Sequence, residues 1–440
     1  MPLREHARRI LDAAVAAADA RAAVLRALTL DVDSLRVGGE EIDLRGIRRV
    51  LVVGAGKAAA RMADAAREVL GDRVAAGTVT VPDGCGAALP RIEVWEAAHP
   101  VPDTRGMAGA VAALELARGA GDGDLVLCLL SGGASALWPA PPAGVSLTDL
   151  RAATDALLRS GADIGEVNTV RRHLSRIAGG WLARAAAPAR VVTLAVSDVM
   201  GDGPHVIGSG PTLPDPTTFA EALDVLQRRD ARVPPTVRAH LSAGAAGDLP
   251  ETPKPGDPAF ANASLHVIAR NRDALEGAVA EAERLAYAAR VYADDVEGEA
   301  RVVGEQVAAL ARNAAAQRPD RPVALVLGGE PTVTVRGGGR GGRCQELALA
   351  AGIELEGAEG VLVAAMGTDG RDGATAAAGA FADGGTVARG RERGLDAADS
   401  LRRNDSHPYH RATGDLIVTG PTGTNVNDVI VVLVEQVPGT

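Results

Sequence analysis

Lysine is almost absent from this sequence. Of 46 basic residues only two are lysines, Lys57 and Lys254, and the others are arginines. Lysine carries a compact, mobile point charge, whereas arginine presents a planar fork of donors. Lys57 lies in a glycine turn that follows an apolar run, and we interpret it as a candidate for chemistry. Lys254 lies in a proline-rich stretch, and we interpret it as a solvated linker residue.

Aromatic residues, cysteines and long apolar runs are also scarce. Aromatics make up 2% of the chain and the formal net charge is −10, which argues against a protein that binds nucleic acid through stacking and a basic face. Three cysteines without a CxxC spacing indicate a reduced protein with no cysteine-built metal site. No apolar run approaches the roughly 20 residues of a membrane helix, and the charged start of the chain does not resemble a signal peptide. We therefore expect a cytoplasmic protein without a membrane partner; the residues leave open whether it forms a homodimer.

Apolar strands alternate with helical patterns along most of the chain. Unbroken apolar runs, such as residues 125–130 and 191–196, are typical of parallel strands that are buried on both faces. We predict an α/β protein with two domains, each a largely parallel sheet flanked by helices, and an active site in the cleft between them. The predicted domains are residues 1–240, which are Rossmann-like with a leading helix, and residues 261–440, joined by a proline-rich linker at 241–260.

The most distinctive stretch is Val323–Ala351. An apolar strand ends at two glycines, a second β-branched segment follows, and a glycine-rich loop carrying Arg336, Arg340 and Arg343 leads into a helix. Glycines permit close backbone approach, and guanidiniums bind phosphate or carboxylate. The alternative is a plain hairpin with a solvated tip, but we predict an anion site. The residues expected to bind nucleotide here are Glu330, Gly338, Gly339, Arg340, Gly341 and Gly342.

Two further turns follow buried strands in the first half of the chain. Gly54 and Gly56 begin a GxGxxA turn that contains Lys57, and we expect both glycines to contact the nucleotide. The second turn has no GxSxG pattern, so a nucleophilic serine is not indicated, but its hydroxyl and N–H groups suit a substrate carboxylate. The predicted substrate-binding residues are Ser131, Gly132, Gly133, Ser135, Arg171 and Arg172, with either arginine as the carboxylate partner.

Aspartates follow strand ends in both halves of the chain. Carboxylates at the carboxyl ends of parallel strands are typical sites of Mg²⁺ in α/β folds, although some of them simply cap helices or turns. Asp198 is also our candidate for the general base, and Asn425 lies in a polar turn that we expect to contact nucleotide. The metal-binding candidates are Asp198, Asp202, Asp369 and Asp372.

Eight segments in this order resemble the type-2 glycerate kinases of the MOFRL/DUF4147 family. They are VVGAGKAAARM, LLSGGASALWPAP, VNTVRRHLSRIAGG, SDVMGDGPHVIGSGPTLPDPTTF, ETPKPGDP, GGEPTVTVRGGGRGGRCQELALA, GTDGRDGATAAAGAFADG and TGPTGTNVNDV. The resemblance implies a kinase that uses ATP and Mg²⁺ to phosphorylate D-glycerate at its 2-hydroxyl, giving 2-phosphoglycerate. It also implies that Lys57 and Arg343 are the catalytic pair. Cys344 stands where the family usually has asparagine, and His407 where it commonly has tyrosine.

Two other functions remain as alternatives. The GxGxxA turn is compatible with an NAD(P)-dependent hydroxypyruvate reductase, although the acidic residue expected about 20 positions later is displaced to Asp83. A non-catalytic sugar-phosphate-binding regulator would use the turn at Ser131, but it would not need aspartates at strand ends in both halves.

Overall fold

The computed structural model describes residues 3–199, 203 and 205–436. It forms two compact units. The first unit comprises Ala20–Ile268, and the second comprises the residues up to Asp19 together with those from Ala269 onward.

Helices and strands alternate through both units. Within the described residues the α-helices are α1 (Leu3–Ala17), α2 (Ala20–Ala27), α3 (Ala59–Leu70), α4 (Thr104–Arg118), α5 (Ala134–Leu137), α6 (Leu147–Arg159), α7 (Ile164–His173), α8 (Trp181–Ala186), α9 (Phe219–Arg228), α10 (Pro235–Ala245), α11 (Asn271–Arg284), α12 (Ala300–Ala316), α13 (Arg343–Glu354), α14 (Thr386–Glu392), α15 (Ala397–Arg402) and α16 (Ser406–Thr413). The strands are β1 (Leu28–Leu30), β2 (Ser34–Val37), β3 (Glu40–Asp43), β4 (Arg49–Ala55), β5 (Val74–Pro82), β6 (Ile92–Ala97), β7 (Asp124–Leu130), β8 (Arg190–Val196), β9 (Ala263–Ala269), β10 (Ala288–Val296), β11 (Val323–Gly329), β12 (Val361–Gly367), β13 (Gly379–Asp383), β14 (Leu416–Ile417) and β15 (Asp428–Val434). None of the described helices is long and apolar enough to cross a membrane.

The sheet of the first unit has the strand order β6-β5-β4-β7-β8-β9. The pairs β6–β5, β5–β4, β4–β7 and β7–β8 are parallel, and β7 is buried along its whole length. The prediction of an α/β fold with a parallel sheet is confirmed here. Its basis was that unbroken apolar strands need to be covered by helices on both faces. Consequently the residues that follow β4, β6, β7 and β8 emerge at one edge of the sheet.

The sheet of the second unit has the order β10-β11-β15-β12-β13-β14 and is mixed. In the described part of this sheet β10 and β11 pair in parallel, whereas β15 runs antiparallel between β11 and β12. The expectation of a largely parallel second sheet is therefore wrong. The apolar run of β15 indicates burial on both faces, which a central antiparallel strand also satisfies. In this register Asp428 lies opposite both Gly329 and Gly367.

The unit boundaries differ from those predicted from proline content. Helix α1 belongs to the second unit and packs closely on α11, where a Cβ on Gly277 would lie 2.4 Å from Ala17 Cβ. The predicted linker at 241–260 lies within the first unit, and α10 extends into it as far as Ala245. Lys254 is not a solvated linker residue, because its Nζ donates to Thr252 Oγ1 at 2.7 Å and pairs with Glu251 at 3.1 Å.

A small antiparallel sheet, β1-β2-β3, was not expected from the sequence. Its strands have three or four residues each, too few to show a clear alternation, and Leu35, Val37 and Ile42 provide its buried face. The leading helix predicted from the sequence is divided into α1 and α2, with β1 following directly.

Candidate active site

In the first unit the turns after β4 and β7 are hydrogen-bonded to each other. The Lys57 N–H donates to Gly132 O at 2.9 Å, and the Ala58 N–H donates to Ser131 Oγ at 3.0 Å. A Cβ on Gly56, whose φ is +132°, would lie 2.1 Å from that same Oγ. Ser131 is fully buried, so its hydroxyl supports the adjoining turn. A buried hydroxyl that supports a turn is not suited to act as a nucleophile, and the missing GxSxG pattern did not indicate one.

Lys57 lies two residues before α3, and its side chain is partly exposed. Gly54 lies inside β4, where a Cβ would come within 2.6 Å of Leu129 O in the neighbouring strand. Close strand packing therefore accounts for Gly54, and the contact with nucleotide that we predicted is not needed to explain it.

His99 is a residue of this region that our sequence reasoning missed. It follows β6, and a Cβ on Gly133 would lie 2.8 Å from His99 Nε2. Gly133 has φ +88°, a left-handed conformation that glycine adopts without strain. The available signal was positional, because His99 follows a strand end as Lys57 and Ser131 do.

A chain of hydrogen bonds extends from Ser135 to α7. Ser135 Oγ and Ser209 Oγ are 2.8 Å apart, and Ser209 Oγ donates to Asn168 Oδ1 at 3.2 Å. Ser209 has φ +61°, a left-handed conformation that is uncommon for a residue other than glycine. Strain of this kind is concentrated at functional sites.

The two arginines of α7 have different environments. Arg172 is buried, and its guanidinium donates to Asp215 Oδ1 at 3.1 Å and to His205 O at 2.9 Å. The side chain of Arg171 makes no hydrogen bond or ion pair with any residue that the structure describes, and burial lowers the pKa of its guanidinium. It shares a helix face with Asn168, three positions earlier. Arg171 is therefore the arginine suited to an external carboxylate.

In the second unit Arg343 is held by two carboxylates. Its Nε and Nη2 donate to the two oxygens of Asp428 at 2.6 and 2.9 Å, and its Nη1 donates to Glu330 at 2.6 Å. Burial alone would lower the pKa of Arg343, but the charge of Asp428 outweighs it and the pKa is raised. Our sequence reasoning missed Asp428, whose signal was an acidic residue at the start of a fully apolar strand.

The glycine-rich loop packs against the segment between α15 and α16. A Cβ on Gly339 would lie 2.5 Å from Asp405 Cβ, and one on Gly341 would lie 2.2 Å from Ser406 Oγ. Gly342 is similarly close to Asp372, whereas Gly338 has open space around it. Most of these glycines thus accommodate the protein's own chain. The backbone N–H of Arg340 donates to Asp405 at 2.9 Å, and its side chain is exposed.

The N-terminus of α13 is capped by Asp372. Its two oxygens accept from the N–H groups of Cys344 at 3.1 Å and Gln345 at 2.9 Å. Burial raises the pKa of the Asp372 carboxyl to about 6, even though the Gln345 side chain and these N–H groups favour the charged form. Asp372 therefore acts as a helix cap, and it satisfies backbone N–H groups that would otherwise be free at this helix end.

Asp369 and Asn425 lie near the end of β12. Asp369 is partly exposed and accepts from the Arg371 N–H at 3.0 Å. Asn425 is buried in the turn before β15, and this turn is tied to β12 through Thr368, whose Oγ1 donates to Asn427 O at 2.6 Å. Glu330 follows β11, so all these residues surround the ends of the central strands.

The predicted metal ligands are divided between the two units of the chain. Among the residues that the structure describes, no group of three or more His, Cys, Asp or Glu side chains is arranged to hold a metal ion. Asp198 belongs to the first unit and is partly exposed, whereas Asp369 and Asp372 belong to the second. Asp202 lies outside the described residues. Asp198 and Asp369 remain as single carboxylates suited to a cation that also binds phosphate oxygens.

Cys344 and His407, the two residues that depart from the family pattern, both belong to the second unit. Cys344 is buried, and burial raises the pKa of its thiol well above the ordinary value, so the side chain packs as a neutral thiol. His407 Nδ1 donates to Gln345 Oε1 at 2.8 Å, because the amide nitrogen of Gln345 donates to Asp372.

The fold and these residues define an α/β protein with cationic side chains near the strand ends of both units. The family model described as Domain of unknown function (DUF4147) matches residues 6–242, and the MOFRL family model matches residues 323–428. The chain belongs to this DUF4147/MOFRL family, as its resemblance to the type-2 glycerate kinases implied.

Relatives cover the chain from end to end. A glycerate 2-kinase of Pyrococcus horikoshii is 41% identical, over 100% of this chain and 99% of its own. A putative hydroxypyruvate reductase of Agrobacterium vitis is 42% identical, over 98% of this chain and 94% of its own. The crystal structure of a glycerate kinase from Thermotoga maritima superposes with a TM-score of 0.85 at 39% identity, covering 98% of this chain and 99% of the other.

Proposed function

We propose that this protein is a kinase that transfers the γ-phosphoryl group of ATP to the 2-hydroxyl of D-glycerate, giving 2-phosphoglycerate and ADP. The observation that carries the proposal is the end-to-end similarity to a glycerate 2-kinase in sequence and to a glycerate kinase in structure. Phosphoryl transfer needs mainly positioned positive charge around the transferring group, and little covalent help. The chain provides such charge on Lys57 and Arg343.

We assign the substrate carboxylate to Arg171. This guanidinium is mostly buried, has no partner among the described residues and lies on the helix face that carries Asn168. A desolvated guanidinium binds a carboxylate through two parallel hydrogen bonds, which also orients the substrate. Asn168 and Ser209 would then contact a hydroxyl of glycerate.

Lys57 and Arg343 are the residues to which we assign the transferring phosphoryl group. Lys57 provides a mobile charge close to the start of α3, and Arg343 provides a planar fork that Asp428 holds in one orientation. Asp198 remains our candidate for accepting the proton of the attacking hydroxyl. Mg²⁺, when held by Asp198 or Asp369, would neutralise charge on the phosphates.

Two assays on one preparation test this function. Coupled ADP release from D- and L-glycerate with ATP and Mg²⁺ measures the kinase reaction. Phosphorus NMR of the product distinguishes phosphorylation at the 2- and 3-hydroxyls. We expect 2-phosphoglycerate from D-glycerate; a 3-phosphorylated product would reject the assigned position.

The second candidate function is reduction of hydroxypyruvate. The name of the Agrobacterium vitis relative favours it, and that relative is as similar to this chain as the kinases are. Loss of absorbance at 340 nm with hydroxypyruvate and NAD(P)H measures this reaction. Because the acidic residue expected for ribose binding is displaced along the chain, we expect no turnover. Reduction without any ADP release from glycerate would replace the kinase proposal.

A further inference from the structure

The two carboxylates that hold Arg343 differ in burial and in the number of bonds they make. The side chain of Asp428 is 1% exposed and accepts two hydrogen bonds from Arg343, whereas that of Glu330 is 43% exposed and accepts one. Asp428 is also fixed by its position at the start of β15, between two other strands. Glu330 follows β11 and lies outside the strand.

These differences predict different lifetimes for the two ion pairs. Separating Arg343 from Asp428 would leave a buried carboxylate uncompensated, which is strongly unfavourable. Separating Arg343 from Glu330 returns a half-exposed carboxylate to water, and exposed ion pairs contribute little net free energy. The Asp428 pair is therefore permanent, and the Glu330 pair can exchange.

The charges of the cluster also oppose an arriving anion while Glu330 is in place. One guanidinium and two carboxylates sum to a formal charge of −1, so a phosphate group would be repelled. Once Glu330 has moved into solvent, the pair of Arg343 and Asp428 is neutral and Nη1 is available as a donor. The arrival of an anion and the departure of Glu330 are then coupled.

We infer that Glu330 is an exchangeable carboxylate that occupies Nη1 of Arg343 until a phosphate group displaces it, while Asp428 keeps the guanidinium in position. This inference rests on the proposed function in assigning the phosphate to a nucleotide. It adds to that function a residue that tunes phosphate affinity by competing with the ligand.

The test is the affinity of the Glu330→Gln variant for inorganic pyrophosphate and for ADP, measured by titration calorimetry without divalent cations. Glutamine retains the shape of the side chain but removes its charge. We expect both ligands to bind about threefold to fivefold more tightly, because an exposed ion pair contributes up to about 1 kcal/mol. The gain should shrink at high ionic strength, because salt screens exposed charges.

Glu356→Gln is the matched control. Glu356 belongs to the same unit, pairs with Arg391 and is also 43% exposed, so this variant changes the net charge equally. Its affinity should equal that of the wild type. The double variant Glu330→Gln/Arg343→Gln should lose the tighter binding, because the gain acts through Arg343.

Three results would overturn the inference. They are an affinity of Glu330→Gln within twofold of Glu356→Gln, weaker binding by Glu330→Gln, or tighter binding that persists without Arg343. Turnover of glycerate is measured separately on the wild type. If the wild type fails to phosphorylate glycerate while Glu330→Gln binds pyrophosphate more tightly, the kinase proposal is rejected and the exchange of Glu330 stands. If the wild type phosphorylates glycerate while Glu330→Gln binds pyrophosphate no more tightly than Glu356→Gln, only the exchange is rejected.

Discussion

Single residues carry most of the proposed chemistry, and their environments separate functional from supporting roles. Ser131, Arg172 and Asp372 were all predicted to bind a ligand, but each has its polar atoms engaged with the protein. Arg171 is a desolvated cation without a partner in the described part of the chain. An uncompensated buried charge is costly, and functional sites are where such costs are retained.

Lys57→Arg tests whether the lysine itself is required. If Lys57 provides only a surface charge, arginine should replace it without effect on the rate. If its ammonium group reaches a phosphoryl oxygen from a tight glycine turn, the bulkier guanidinium should not fit. We expect kcat to fall by about a hundredfold, the effect of a misplacement of about 1 Å. Steady-state kinetics and thermal melting on one preparation provide the measurement.

The other lysine serves as the control for that substitution. Lys254→Arg makes the same chemical change in the first unit, in a position that we do not assign to the site. Its kcat should remain within about threefold of the wild type. A fully active Lys57→Arg enzyme with an unchanged melting temperature would remove Lys57 from the mechanism.

At the level of elements, helix α7 presents one arginine to the core and one to the proposed substrate site. Adjacent positions on a helix are about 100° apart, so neighbouring side chains have different surroundings. Sequence spacing predicted the pair but left open which of them binds the substrate. The ion pair with Asp215 engages Arg172, so Arg171 is the one that we propose for the substrate.

Variants of the two arginines should therefore affect different quantities. Arg171→Gln should raise KM for glycerate by at least about tenfold, the loss of a charged hydrogen bond, with little change in melting. Arg172→Gln should lower the free energy of unfolding by about 3 kcal/mol, because it leaves Asp215 buried without its cation. Kinetics and denaturant unfolding on both variants provide the comparison. The assignment fails if Arg171→Gln melts early and leaves KM unchanged.

Helix α16 carries a buried histidine whose titration opposes folding in acid. Burial lowers the pKa of His410 to about 4, and its Nε2 donates to Gln345 O at 3.0 Å. The unfolded chain binds the proton on His410 more tightly than the folded chain does. The contribution of neutral His410 to the free energy of unfolding is therefore complete above about pH 6.5 and is lost as the pH falls toward 4.

His410→Gln should remove this part of the pH dependence. The difference in free energy of unfolding between wild type and variant should fall by about 3 kcal/mol from pH 7 to pH 4. Urea unfolding at several pH values measures it, and comparison with the variant cancels the titration of the carboxylates. A difference that does not change with pH would show that His410 does not titrate as described.

At the level of the whole molecule, the chain order and the folded units do not coincide. Helix α1 is the first element of the sequence, yet it folds with the second unit. Arg4 on this helix pairs with Asp383 at 2.9 Å and with Asp415 at 2.5 Å, and Asp415 is fully buried. These ion pairs join the start of the chain to elements near its end.

Arg4→Gln should loosen the second unit selectively. We expect amide hydrogen exchange around β13 and β14 to accelerate by about threefold to tenfold, because a partly exposed ion pair contributes on the order of 1 kcal/mol. Exchange in β4 and β7 of the first unit should not change. Equal acceleration in both units would contradict the assignment of α1.

The class of fold, the parallel first sheet and several candidate site residues follow from local sequence. Apolar runs, glycine turns and strand-end polar residues are local features, and they predict a strand or a turn wherever they occur. The direction of β15, the place of α1 and the partners of Arg343 required the folded chain. A strand that is buried on both faces has the same apolar pattern in either direction, and Asp428 meets Arg343 across 85 positions of sequence. Such pairings depend on which elements pack together, and the packing is determined by the free energy of the whole folded unit.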